Sequence, residues 1–372
     1  MLKKKCLMRE LKIGDLRIKL PIIQGGMGIG ISMSELASAV ANTGGIGIIS
    51  TVAIGLTDKN QKQGYKKGNI EVLKNEIRKA KQRTKGILGV NIMSVVTDFS
   101  DMVKTSIDEG IDIIFSGAGL PLDLPKYLPA DAKTKLVPIV SSGRAADILC
   151  SKWKQNYNYL PDALVVEGPK AGGHLGFKAN ALEELNNTLE NLVKDVVAVS
   201  RNIKEKFKKE IPVIAAGGIF DGKDMYNIMK KGASAVQLGT RFVATKECDA
   251  SDEFKNAFIQ AHEEDIKIIK SPVGMPGRTI FNKFLDEAIK GNRRPKVCKH
   301  NCIRSCNPKT TEYCISEALI EAYQGNLEKG FAFSGINGNR IENISTVEDV
   351  IKELKSGFLE AESEDQSHDT TT

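Results

Sequence analysis

Eight short apolar runs, each ending in glycine or a small polar residue, recur along this chain between stretches of helical pattern. They occupy 20–26, 46–50, 87–91, 112–117, 136–141, 162–168, 212–218 and 235–240. Their β-branched residues fall on both faces, as in parallel strands covered by helices. The intervals carry helix signals. Ser34 suits an N-cap for 35–42, with Gly44 and Gly45 behind it. Asp221 suits a cap for 223–231, with Gly232 as the stop. Strand and helix alternating eight times over roughly 220 residues match a (β/α)8 barrel, typically about 250 residues long. The fold class is therefore α/β, a (β/α)8 TIM barrel with a helical C-terminal extension. A doubly wound open sheet is the competing architecture; eight evenly spaced units favour closure. The expected division is a barrel over 1–248 and a helical, Cys-containing extension without further strands over 249–357. A disordered acidic tail is expected over 358–372. Two long intervals, one containing 57–69 and one after Gly168, are expected to act as lids over the active face.

Composition narrows the function classes. The chain has 372 residues, 41% hydrophobic and 27% charged, an ordinary globular balance. The most apolar region, 37–55, is broken by Asn42, Thr43, the Gly44-Gly45 pair and Ser50, so no membrane span is expected. The basic N-terminus lacks the apolar core of a signal peptide, which points to the cytoplasm. The net charge of +7 is spread over helix faces, with one exception. Lys290, Arg293, Arg294, Lys296, Lys299 and Arg304 follow one another with no acid between them. That stretch would suit an acidic partner, but no aromatic residues interleave with it, so nucleic acid is not expected. Seven cysteines without an export signal argue against disulfides.

In a barrel, chemistry sits at the C-terminal ends of the strands. There this sequence places Gln24-Gly25-Gly26-Met27-Gly28, Asn91, Ser116-Gly117-Ala118-Gly119, Glu167-Gly168-Pro169-Lys170-Ala171-Gly172-Gly173-His174, Ala216-Gly217-Gly218 and Gly239-Thr240. Glycine leaves backbone N–H groups open to a large flat ligand bearing a phosphate. Barrel phosphate sites follow strands seven and eight, so Gly217, Gly218, Gly239 and Thr240 are the candidates. His174 is the candidate acid/base residue, with an ordinary pKa of about 6.5. His262 and His368 are expected at the surface. The Pro/Gly-rich segment 270–278 reads as a rigid loop, either closing over the site with Arg278 toward an anionic ligand or serving as a linker.

PIIQGGMG, GVNIM, SGAG, EGPKAGGH, PVIAAGGI and AVQLGTRF together resemble the nitronate monooxygenase family, and the related flavin-dependent enoyl-acyl-carrier-protein reductase II. The likeness covers about 17–280. It implies a barrel that binds FMN noncovalently. Gly25, Gly26 and Met27 would lie along the flavin. Asn91 would contact its ring or ribityl chain, Gly172 and Gly173 would approach it, and Gln237 would hydrogen-bond near it. Gly217, Gly218, Gly239 and Thr240 would hold the phosphate, and His174 matches the catalytic histidine. In that family the flavin takes one electron from a nitronate, and oxygen completes the oxidation to a carbonyl compound and nitrite. The histidine would take the α-proton of a neutral nitroalkane.

The implied partner is a small-molecule substrate, a nitronate or an acyl thioester, with a homodimer as the candidate assembly. Three other readings compete. An NAD(P)H-dependent enoyl-acyl-carrier-protein reductase using FMN would exploit the basic stretch, although such reductases usually carry Asn-Pro where this chain has GLPLDLP. An IMP dehydrogenase-type enzyme needs a cysteine in the strand-six loop, which here holds His174. A flavin-binding redox partner would act through Cys298, Cys302, Cys306 and Cys314. The first three would share one face if their segment were helical. They are reduced thiols, metal or cluster ligands, or a redox disulfide; their spacing fits no usual zinc or ferredoxin pattern.

Overall fold

Strands form where β-branched residues run without a helical stripe, and the eight apolar runs are such segments. A computed structural model describes residues 8–184 and 186–369, except the side chains of His368 and Asp369. The expectations for 1–7, 370–372 and the His368 side chain lie outside the described residues.

A hairpin opens the chain, β1 (Leu11–Ile13) and β2 (Leu16–Ile18). Eight parallel strands then close into a barrel: β3 (Ile22–Gln24), β4 (Ile46–Ser50), β5 (Ile87–Met93), β6 (Ile113–Gly117), β7 (Lys135–Val140), β8 (Leu164–Glu167), β10 (Val213–Ala216) and β11 (Ala235–Leu238), with β11 pairing back onto β3. Leu11, Ile13 and Ile18 of the hairpin join Ile46, Ile113, Ala163 and Ala235 in one buried cluster. Those residues begin their strands or, for Ala163, immediately precede one, so the hairpin plugs the end of the barrel opposite the C-terminal ends of the strands.

The helices are α1 (Ser34–Asn42), α2 (Tyr65–Arg83), α3 (Phe99–Asp108), α4 (Gly143–Tyr157), α5 (Leu189–Phe207), α6 (Gly222–Lys230) and the single turn α7 (Thr240–Val243). Between β6 and β7 there is only a 3₁₀ turn, Leu124–Tyr127. Asp221 caps α6 in a reciprocal capping box with Asp224, as its sequence predicts. Ser34 does not cap α1; it is the first helical residue. Carboxylates from far along the chain take over that role. Asp249 Oδ2 accepts Met33 N–H at 3.0 Å, and Glu76 Oε2 accepts Ser34 N–H at 3.0 Å.

Beyond the barrel come α8 (Asp252–Ile259), α9 (Lys283–Ile289), α10 (Ile315–Tyr323) and α11 (Val347–Asp369). Three expectations are corrected here. The extension is not all helical: β12 (Ile266–Lys270) and β13 (Pro276–Ile280) form a hairpin, and β13 pairs with β9 (Gly173–His174) in a three-stranded sheet. The segment from 358 to 369 is not disordered but continues α11. Val347, Val350, Ile351, Leu354, Phe358 and Ala361 are buried at i, i+3, i+4, i+7, i+11 and i+14, a helical stripe. The stripe docks on α6, where a Cβ on Gly222 would stand 2.2 Å from Phe358 N. Finally, 298–306 is not helical but a run of turns.

Candidate active site

Most of the rim residues named from sequence, though not Gln24, Ser116, Gly168, Pro169 or Lys170, surround one cavity of about 1090 Å3, beyond the usual ~300–1000 Å3 of a small-ligand pocket. Gly25, Gly26, Met27, Asn91, Gly172, Gly173, His174, Gly217, Gly218, Gln237, Gly239 and Thr240 all line it.

The glycines serve two ends. A Cβ on Gly26 would meet Asn91 Cβ at 2.3 Å, and one on Gly172 would meet Gly335 N at 2.6 Å. These two let neighbouring segments close up. Gly217 and Gly218 hold φ of 96° and 84°, left-handed conformations that turn the backbone sharply after β10.

Two long intervals were expected as lids, and they separate here. The interval after β8 lines the cavity from Ala171 to Ala179, whereas of the interval after β4 only Val52 does. The rest of the lid comes from the extension: 268–270, 273–276, Ile303, Ile315, Ser316, Leu319 and 333–337. The turn Phe333-Ser-Gly-Ile-Asn337 closes the cavity over Thr240 and Gly218. Gly335 N–H donates to Thr240 Oγ1 at 3.0 Å, Ile336 N–H to Lys170 O at 3.1 Å, and Asn337 Nδ2 to Gly218 O at 2.9 Å.

His174 is held by elements almost a hundred residues downstream. As part of β9 it stands opposite Gly277 of β13, and Leu175 N–H donates to Pro276 O at 2.9 Å. Its Nε2 is 2.7 Å from Ser271 Oγ, and its ring lies 4.9 Å from that of Phe333. Ser271 Oγ also accepts Val273 N–H at 3.3 Å, and its second lone pair is available to Nε2–H. With Nε2–H donating to Ser271 Oγ, Nδ1 is the unprotonated ring nitrogen that can accept a proton. Burial lowers the imidazole pKa to about 4, so the ring is neutral at pH 7.

Arg278 does not face a ligand, as one sequence reading had it. It is buried and donates from Nη1 to Pro169 O and Ala171 O, both at 2.6 Å, pinning the loop that leads to His174. Burial without an acid partner lowers its pKa.

Sequence reasoning assigned no role to Glu167, Ser271 or 333–337. Glu167 ends β8 opposite Ala216 and lines the cavity; burial alone pushes its carboxyl up to about 7. Its position at a strand end was the available signal, as was the glycine-bearing turn at 333–338. Ser271 offered none, because only the three-dimensional pairing of β9 with β13 brings it to His174.

The cavity suits a polar, planar cofactor. Gln237 Oε1 is buried at its wall with no hydrogen-bond partner, an acceptor that a ring N–H would satisfy. The sharp turn at Gly217-Gly218 and the start of α7 at Thr240 stand together at the end of the cavity where a phosphate would sit.

A closed parallel barrel with this rim defines the class: a flavin-dependent oxidoreductase on a TIM barrel. The chain belongs to the nitronate monooxygenase family, whose model matches residues 9–357. It is 25% identical over 371 residues to a probable nitronate monooxygenase of Staphylococcus saprophyticus, covering 91% of this chain and 96% of that protein. It is 29% identical over 276 residues to (3aS,4S,5R,7aS)-5-hydroxy-7a-methyl-1-oxo-octahydro-1H-indene-4-carboxyl-CoA dehydrogenase of Mycobacterium tuberculosis, covering 74% of this chain and 67% of that one. The solved structure of FabK from Thermotoga maritima superposes with a TM-score of 0.72 at 29% identity, over 94% of this chain and 95% of that one. No helix among the described residues is long and apolar enough to cross a membrane.

Proposed function

We propose that this protein uses FMN to oxidise alkyl nitronates with O2 to a carbonyl compound and nitrite. The observation that carries this reading is a neutral His174 facing the cavity, with Ser271 on its Nε2 and Phe333 against its ring. When bound, FMN supplies the electron-accepting ring and the surface at which oxygen is reduced. Gln237 would meet its ring edge, Asn91 and Met27 would flank it, and Gly217, Gly218, Gly239 and Thr240 would take its phosphate. His174 would accept the α-proton of a neutral nitroalkane, being uncharged and within the cavity. Ser271 and Phe333 fix the ring orientation that this transfer requires. The lid from the extension would limit the access of water to the reacting atoms. Six free cysteines among the described residues support a cytoplasmic location.

One observation favours a second reading, reduction of an enoyl thioester by NAD(P)H. The cavity is far larger than a nitronate beside a flavin needs, and Leu120, Ile139, Ile268, Met275 and Leu319 give it an apolar wall. Anaerobic mixing of the FMN-loaded protein with NADH, NADPH or a nitronate tests both. Bleaching of flavin absorbance by a nitronate but not by either pyridine nucleotide is expected. Rapid bleaching by NADH or NADPH would move the thioester reading to the front.

A further inference from the structure

The cavity has two unlike ends, and the proposed reaction uses only one of them. In the order of the closed barrel, β5 stands across from β10 and β6 across from β11. The glycine turns after β10 and β11 therefore lie across the mouth from Met93, which ends β5, and from the loop 117–120 at the end of β6. A cofactor phosphate at the first end would leave the second to another ligand.

That second end is apolar and is knit to His174 by hydrogen bonds. Ser94 N–H donates to Gly117 O at 2.8 Å and Ser94 Oγ to Ala118 O at 2.9 Å, which ties β5 to the loop carrying Leu120. Arg304 N–H donates to Val95 O at 3.1 Å and brings Ile303 alongside. Ser305 Oγ donates to Val273 O at 3.1 Å. Val273 belongs to the tight turn closed by Ser271 N–H on Met275 O at 3.1 Å, and Ser271 is the residue on His174 Nε2. Met93, Leu120, Val273, Met275 and Ile303 all line the cavity. Three charged residues line it as well, Glu167, Lys178 and Lys270, and none belongs to these segments. Leu120 is 37% exposed and Ile268, on the same cavity, 40%. Large apolar side chains exposed along a cavity mark a place for apolar ligand surface.

We propose that this lobe holds the alkyl tail of the substrate, so that the protein selects nitronates bearing a long, uncharged chain. The head group rests on the nitronate reading; the tail site rests on the lobe itself. With the α-carbon beside His174, the chain would run past the 271–275 turn toward Met93 and Leu120. Each methylene moved from water onto such a wall is worth about a fourfold gain in binding. A tail ending in a carboxylate would lose its hydration with no cation in the lobe to replace it.

The test is a chain-length series on the FMN-loaded protein. It compares kcat/KM for primary nitronates from ethyl to octyl, and for an octyl-length nitronate ending in a carboxylate. A rise of about two- to fourfold per methylene is expected. The carboxylate-ended substrate should fall at least about tenfold below the octyl one. Leu120→Asp should flatten the rise. Leu122→Asp, 36% exposed in the same loop but outside the cavity wall, should leave the slope as it is. A flat or falling series in the wild type, or an unchanged slope in Leu120→Asp, would overturn the proposal. Should no nitronate of any length reduce the flavin, it is the nitronate reading that fails. The tail site is then judged by calorimetric titration with straight-chain alcohols from butanol to octanol. Affinity that rises with length and weakens in Leu120→Asp supports it; no binding, or binding blind to length, overturns it.

Discussion

Burial keeps His174 neutral far below the ordinary imidazole range, and this sets the pH behaviour expected of the proposed proton abstraction. The base form is present above its pKa. Activity on neutral nitroalkanes should therefore fall as pH drops through about 4, not through about 6.5; a pH profile of kcat/KM checks this. His174→Asn should cost about 10²–10⁴-fold on a neutral nitroalkane, while oxidation of the preformed nitronate falls by less than about tenfold. Equal losses on both substrates would remove the base role. Asp249 gives a stability counterpart. Burial and the nearby Glu76 and Glu35 raise its pKa to about 7. The folded chain then holds a proton that the unfolded chain releases. Stability should fall as pH rises from about 4 to about 7 and level off above. Asp249→Asn keeps an acceptor for Met33 N–H, so thermal melts at about pH 5 and pH 8 should differ less than in the wild type. His174 was legible because AGGH directly follows a strand-like run. Asp249 was not, since the backbone it caps lies 216 residues upstream.

Elements, rather than single residues, explain how the candidate base is held. Gly173 and His174 form a strand of two residues, which cannot persist without β13 beside it. Arg278 ties that sheet to the loop after β8 through two carbonyls. Arg278→Met leaves both carbonyls buried and unpaired, at about 1–3 kcal/mol each. Weaker flavin retention on heating and a lower kcat are expected, read by flavin fluorescence and steady-state rates. Gly222→Ala would thrust a methyl into the backbone of α11 at Phe358. A loss of about 1–3 kcal/mol in a denaturant melt is expected. The cap at Asp221 was readable because its signal is local. The hairpin was not: IKIIK at 266–270 is short, with both lysines exposed, and resembles a polar edge more than a buried strand.

For the whole molecule, the eight strands were the most legible feature, because every one is buried and none depends on a distant partner for its pattern. The C-terminal end was the least legible. Its acidic surface masked the stripe that ends in Phe358 and Ala361. Truncation after residue 357 removes both, and loss of Phe358 alone is worth about 3–5 kcal/mol. The shortened chain should melt well below the full one by circular dichroism; an unchanged melting temperature would return the tail to the disordered class. The dependence of β9 on β13 also has a consequence for synthesis. All eight barrel strands have left the ribosome once Leu238 has emerged, yet β13 and the turn at 333–337 come later. At about 5–20 residues per second, seconds pass between the two. A nascent chain thus owns the strand ends of its candidate cofactor site before it owns the latch that seats the candidate base. Any chain released early would carry the barrel without its chemistry.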